Sequence, residues 1–114
     1  MLSRSHRLNK KRDIETVFKR GKSVYAGALG LRAAANRLPV SRFTIVVSLK
    51  VSKKAVERNR LKRRLREIMR QEIVPRAKNG FDGIILTQKP LLDLSFPELR
   101  ELALALFKKA GLLS

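Results

Sequence analysis

The sequence predicts an α+β fold in two layers, with helices laid over one face of a sheet. Three observations predict it. Arg42 to Leu49 is the clearest strand, because Phe43, Thr44, Ile45, Val46 and Val47 are nearly all β-formers. Gly83 to Thr87 (GIILT) is a second apolar run, of the kind buried on both faces. Between them lies one long amphipathic helical segment. Strand, helix and strand make a β-α-β unit whose two strands run parallel, and generic chirality makes its crossover right-handed. A chain of 114 residues is one domain, 1–114, with a single modest core.

The remaining elements follow from local signals. Residues 1–8 read as a loose basic arm. Asp13 to Arg20 forms a short helix with Ile14, Val17 and Phe18 on one side, and Gly21 ends it as a C′ residue. Residues 23–36 admit either state: the alanines favour helix, while the glycines and the turn that follows allow a strand. Arg37-Leu38-Pro39 is a loop and Asn79-Gly80 a turn. The basic helix starts near Ser52 and stops before Pro75. Ser95 and Glu98 form a capping-box pattern with Pro97 in the first turn. The last helix then runs to about Ala110 and ends at Gly111, with Leu99, Leu102, Leu106 and Phe107 as core.

The formal net charge is +18, more than solubility requires, and a charge this large is expected to serve an acidic partner. It is unevenly placed. Residues 1–22 carry eight Lys/Arg and residues 52–72 carry nine, whereas residues 73–114 carry six against four acids, so the last third reads as structural. The segment KKAVERNRLKRRLREIMR, Lys53 to Arg70, holds nine basic residues against two acids and still keeps an apolar stripe of Leu61, Leu65, Ile68 and Met69. Arg60, Arg63 and Arg70 point away from that stripe, with Asn59 beside them. A helix that is half core and half arginine is suited to lie on a polyanion. Arg58 falls almost in line with Leu61 and Leu65, where an unpaired guanidinium is intolerable. It therefore either meets an anion across a cleft, snorkels to solvent, or pairs with a backbone carbonyl.

Other chemistries find little support. No run of about 18 apolar residues spans a bilayer, and no apolar stretch follows the N-terminal basic residues, so no signal peptide is expected. Cysteine is absent, which fits a reducing, cytoplasmic setting. His6, the single histidine, sits in the arm and reads as a surface residue. Glu57, Glu67 and Glu72 are expected to pair with nearby Arg or Lys within the helix. Turn and loop chemistry accounts for Asp82 and Asp93. No phosphate loop, HExxH or zinc-ligand spacing occurs. The chain has no catalytic constellation of its own, so any reaction belongs to its partner. A DNA major-groove reader needs a helix standing proud of its domain, and here the stripe embeds the helix. Irregular RNA is the better match. Phe18 and Tyr25 are free to stack on bases, with core packing as the competing role for Phe18.

The segment VSLKVSKKAVERNRLKRRLRE, Val47 to Glu67, closely resembles the protein subunits of bacterial ribonuclease P. Val47, Ser48 and Lys50 match the family's first block, and Ala55, Arg58, Asn59, Arg60, Lys62 and Arg63 its RNR signature. RLNKKRDIETVFKRGKS, Arg7 to Ser23, is similar to the family's N-terminal pattern, with Phe18 and Gly21 in place. DGIILTQKP, Asp82 to Pro90, resembles its late strand. The chain departs from the pattern at Leu49 and Gln88, where basic residues are frequent, at Ile14, at Thr44, and at Arg32, near an often aromatic position.

The resemblance implies an α/β sandwich with a mixed sheet of about four strands and a left-handed β-α-β crossover, against the generic expectation. It implies a partner RNA that is the catalyst and uses Mg2+ to remove the 5′ leader of precursor tRNA. By position, Lys53, Arg58, Asn59, Arg60, Lys62 and Arg63 would contact the catalytic RNA. Phe18, Ser48, Lys50, Lys54 and Lys89 would line the leader path. The competing reading is a ribosomal or other structural RNA-binding protein. DNA and membrane binders stand further behind.

Overall fold

The computed structural model describes residues 4–113. In chain order they form α1 (Lys11–Arg20), β1 (Lys22–Ala26), β2 (Leu29–Ala35), β3 (Arg42–Val46), α2 (Ala55–Ile68), β4 (Phe81–Thr87) and α3 (Phe96–Lys109). The four strands make one mixed sheet in the order β1-β2-β4-β3. β3 and β4 are the two strands legible in the sequence, and they pair in parallel from Arg42↔Asp82 to Val46↔Leu86. The segment with two readings is an antiparallel hairpin, β1 and β2, turning at Gly27 with φ 57°. Pairing of β2 with β4 along its whole length outweighs the weak helix preference of Ala33, Ala34 and Ala35.

Cross-strand partners share a face of the sheet, and successive residues alternate. One face carries Leu29, Leu31, Phe43 and Ile85. These residues are buried with Leu61, Leu65 and Ile68 of α2 and with Leu99, Ala103, Leu106 and Phe107 of α3. The Phe43 and Phe107 rings meet edge to face, with centroids 5.7 Å apart. Each large side chain buried here contributes about 1.5–3 kcal/mol.

Helices on one face describe α2 and α3, but not α1. β4 is apolar on both sides, with Ile84 0% and Ile85 1% exposed, so the second face also needs cover. α1 supplies it: Val17 packs with Leu8 and Ile84, flanked by Ile14 and Leu86. Gly21 does not end α1 in the left-handed conformation expected of a C′ glycine; its φ of −74° and ψ of 164° are extended. It is glycine because a Cβ there would lie 2.5 Å from the Val17 carbonyl oxygen.

The loose-arm expectation for residues 1–8 is also corrected. Residues 1–3 lie outside the described residues. Beyond them, Arg4–His6 is a short 3-10 turn, Arg7 bridges to Phe43 and the Leu8 amide donates to the Phe43 carbonyl at 2.9 Å. His6 Nδ1 lies 2.9 Å from the Ser41 carbonyl oxygen. An edge strand with free carbonyls and a pocket for Leu8 together dock the segment.

α2 begins at Ala55 rather than near Ser52, because Ser48 and Ser52 organise the preceding turns through their hydroxyls. Its last turn, Met69–Ile73, is widened to a π-turn in which the Val74 amide donates to the Met69 carbonyl at 2.8 Å. Met69 and Ile73 stay buried that way before Pro75 stops the helix. The capping box of α3 forms as expected, and Gly111 follows the helix at φ 78°.

Candidate nucleic-acid interface

On the face that carries α1, strand pairing lines up three rows of side chains. Ala34, Asp82 and Arg42 form the first; Ser23, Arg32, Ile84 and Thr44 the second; Tyr25, Gly30, Leu86 and Val46 the third. α1 packs on β2 and β4, and its apolar side chains reach Ile84. The third row is open at its two ends, while Gly30 is buried and Leu86 is half-buried against the Leu8, Val17 and Ile84 cluster. Tyr25 is 45% and Val46 40% exposed, and Phe18, on the last turns of α1, is 47% exposed. The sheet thus presents two exposed side chains, Tyr25 and Val46, on the same face as α1, which carries the exposed Phe18 ring. Gly30 is glycine for a steric reason: a Cβ there would meet the Tyr25 ring at 2.5 Å. The core role weighed for Phe18 falls to Val17, which is 1% exposed.

The third row lies at the C-terminal ends of the parallel strands β3 and β4. Ser48 and Lys50 follow β3 within four residues, and Lys89 follows β4 within two; all three are exposed. Lys54 is the exposed residue that precedes α2. Of the five residues assigned to the leader path by resemblance, Ser48, Lys50 and Lys89 thus follow the C-terminal ends of β3 and β4, Lys54 closes the β3–α2 connection, and Phe18 stands on α1. No acidic residue stands in the third row or in the connection from Val47 to Lys54.

Polar contacts fix α1 against the sheet. Arg42 donates to Asp82 from Nε at 2.9 Å and from Nη2 at 2.6 Å, and its Nη1 lies 3.4 Å from Asp13 of α1. Asn36 Nδ2 donates to the same Asp82 carboxylate at 2.8 Å. The hydrogen bond to Asp82, ahead of the opposing effect of burial, raises the Arg42 guanidinium above its ordinary value. Asp82 is thus a buried partner inside β4 and not the turn residue expected from sequence. At the other end of α1, Arg32 donates to the Phe18 carbonyl and to Ser23 Oγ.

The N-terminal half of α2 borders the same end of the molecule. Among the residues assigned there, Lys53, Asn59, Arg60 and Arg63 are exposed and Lys62 is half-buried. Asn59, Lys62 and Arg63 line one recess with Val56 and Arg66. Arg60 does not line it. Arg58 takes the backbone-carbonyl option: its Nη1 donates to the Ser52 carbonyl at 2.9 Å, fastening the turn before α2 to the helix. Glu57 pairs with the Ser52 hydroxyl at 2.5 Å rather than with a cation. The expected intrahelical pair forms at Glu67–Arg70, whereas Glu72 pairs with Arg76 beyond the end of the helix. The Arg70 hydrogen bond lowers the Glu67 carboxyl, and the Ser95 amide lowers that of Glu98.

Arg66, Val46 and Leu86 join the candidate surface without having been singled out from sequence. Arg66 is three residues after Arg63 and seven after Asn59, so helical spacing placed it on their face. Val46 and Leu86 carried no signal, because which side of a strand faces solvent depends on where α1 lands.

Among the described residues no group of three His, Asp or Glu stands close enough to hold a metal ion, and no helix is long and apolar enough to cross a membrane. Asp13, Asp82, Glu57, Glu67, Glu72 and Glu98 are each engaged by protein groups. These carboxylates do not fit a protein-held Mg2+.

Comparison with known proteins gives a consistent picture. Residues 2–111 match the family model for ribonuclease P. The chain is 38% identical over 112 residues to the ribonuclease P protein component of Microcystis aeruginosa, covering 94% of this chain and 92% of that one. It is 42% identical over 97 residues to that of Synechococcus elongatus, covering 82% and 78%. The RNase P protein from Thermotoga maritima superimposes with a TM-score of 0.81 at 36% identity, over 90% of this chain and 96% of that structure. The Staphylococcus aureus protein shares the fold, with a TM-score of 0.84 at 24% identity.

Proposed function

Because the chain belongs to the ribonuclease P protein family, we propose that it serves as the accessory subunit that binds the catalytic RNA and captures the 5′ leader of precursor tRNA. The observation that carries this reading is the exposure of Tyr25, Val46 and Phe18 on one face of the molecule, with the exposed Ser48, Lys50 and Lys89 following the ends of β3 and β4 and Lys54 preceding α2. A single strand needs stacking surfaces and a cationic path along its backbone, and this end of the sheet offers both. The exposed basic side of α2 (Asn59, Arg60, Lys62, Arg63 and Arg66) suits the catalytic RNA, which it meets as a fixed set of phosphate donors. Arg58 contributes through the shape of the β3–α2 connection, with its other guanidinium nitrogens available to phosphate.

The mechanism is electrostatic positioning. Bringing two RNAs together crowds their phosphates, and a +18 chain offsets that repulsion. Holding the leader adds affinity for the precursor alone, since the mature tRNA has none. Magnesium supplies the hydrolytic chemistry and is assigned to the RNA.

The test is reconstitution. The purified chain is mixed with a bacterial ribonuclease P RNA and precursor tRNA at low magnesium over a salt series. Protein-dependent cleavage at the mature 5′ end supports the reading. RNA binding without stimulation at any salt concentration favours the structural RNA-binding protein instead. Salt is varied because each phosphate contact contributes roughly 0.7–0.9 to the slope of log K.

A further inference from the structure

We infer that Arg32 is a positioning residue of the leader path, fastening the C-terminal turn of α1 to the sheet and so setting where Phe18 stands relative to the Tyr25–Val46 row. The inference rests on the leader reading above and concerns a residue that reading leaves without a role.

Arg32 belongs to the second row, between Ser23 and Ile84, one row from Tyr25 and Val46. Its Nε and Nη2 donate to the Phe18 carbonyl oxygen at 3.1 and 2.6 Å, and its Nη1 donates to Ser23 Oγ at 2.9 Å. Two donors of one rigid fork thus converge on the backbone carbonyl of Phe18, and a third ties the same guanidinium to Ser23 of β1.

The contact answers a need created by the chain path. The last four carbonyls of a helix lack intrahelical partners. The Val17 carbonyl is taken by the Gly21 amide at 2.8 Å. Gly21 then turns extended and the chain enters β1, so the Phe18 carbonyl receives the guanidinium instead. A cation there also opposes the negative end of the helix dipole.

α1 has reason to depend on such a contact. It is ten residues long, and Val17 is its one fully buried side chain. Its N-terminal half is held by Asp13 to Arg42, 3.4 Å away. Without Arg32, the half that carries Phe18 keeps the Val17 packing to hold it on the sheet. The Phe18 ring takes no part in the clamp, so fixing the backbone leaves the ring free for a base.

Charge and geometry are separable here. Arg32→Lys keeps the cation and loses the fork; Arg32→Gln loses the cation. Holoenzyme reconstituted with each variant is assayed on precursor tRNA, with mature tRNA as competitor. Both variants are expected to raise precursor KM on the order of tenfold at unchanged kcat, with mature tRNA binding unchanged. If Arg32→Lys behaves as wild type, Arg32 acts as a charge and the inference is overturned.

The chain has no cysteine, so spin labels on Lys19→Cys and Leu49→Cys report the separation of α1 from the β3–α2 connection. The distance distribution is expected to be narrow with Arg32 and broad with either variant. An unchanged width overturns the inference whatever the kinetics. If wild-type holoenzyme does not prefer precursor over mature tRNA, the leader reading falls, and the label width alone then decides the role of Arg32.

Discussion

Arg42 and Asp82 are direct neighbours on the parallel strands β3 and β4, joined by two hydrogen bonds of 2.9 and 2.6 Å beneath the N-terminal half of α1. The Asp82 side chain is 8% exposed and that of Arg42 20%, so the pair is largely shielded from water. Removing one partner strands the other. Asp82→Ala is expected to cost about 2–4 kcal/mol, somewhat below a fully buried pair because Arg42 reaches solvent. Urea unfolding in a fixed phosphate buffer measures it. A cost under about 0.5 kcal/mol would show that the pair is incidental.

Phe18→Ala is expected to weaken precursor binding by about 1–3 kcal/mol, roughly 5- to 150-fold, and to leave mature tRNA binding intact. The exposure of the ring predicts little loss of stability. Competition binding to the holoenzyme separates the two substrates. Equal losses for both tRNAs would remove Phe18 from the leader path.

Tyr25 is the only tyrosine of a chain without tryptophan, so its fluorescence reports this face of the sheet. Stacking of a leader base on the ring is expected to quench it in a saturable titration with a leader oligonucleotide. Gly30→Ala forces the ring aside, because the added Cβ would meet it at 2.5 Å. That variant is expected to lose the quench while its melting temperature stays close to wild type. A variant that quenches normally places the base elsewhere.

Arg60→Ala is expected to weaken binding to the catalytic RNA and to reduce the salt slope of log K by roughly 0.7–0.9, one phosphate contact. Its precursor preference should persist once the holoenzyme is saturated. A salt slope equal to wild type would take Arg60 out of the interface.

The acid limb of stability has two local sources. Glu98 is lowered by the Ser95 amide and Glu67 by Arg70. A lowered carboxyl contributes stability that is present above its unfolded pKa and is lost as pH falls through its folded one. Melting temperature is therefore expected to fall below the ordinary carboxylate range, and Glu98→Gln should flatten that fall. An acid limb identical in Glu98→Gln would assign the loss elsewhere.

Much of the fold is legible along the chain because it rests on local patterns. β-branched runs mark β3 and β4, Ser95 and Glu98 mark the start of α3, and the stripe from Leu61 to Met69 marks the buried side of α2. The hairpin from Lys22 to Ala35 is not legible, since its alanines and glycines carry weak preferences and its partner, β4, is about fifty residues away in sequence. Arg58 shows a similar limit. The helical wheel located it on the core side, but the Ser52 carbonyl that receives it depends on how the β3–α2 connection folds back.

The sequence by itself determined the charge and its placement on the N-terminal segment and α2, the parallel strand pair and the family signature. All of these depend on residue type and short spacing. The tertiary structure alone decided that α1 crosses to the second face of the sheet and leaves the two ends of the third row uncovered. That choice exposes Tyr25 and Val46, leaves the Phe18 ring exposed on the same side and turns Asp82 and Arg32 into fastenings. Its physical cause is β4, which buries Ile84 and Ile85 on opposite sides and so requires cover on both.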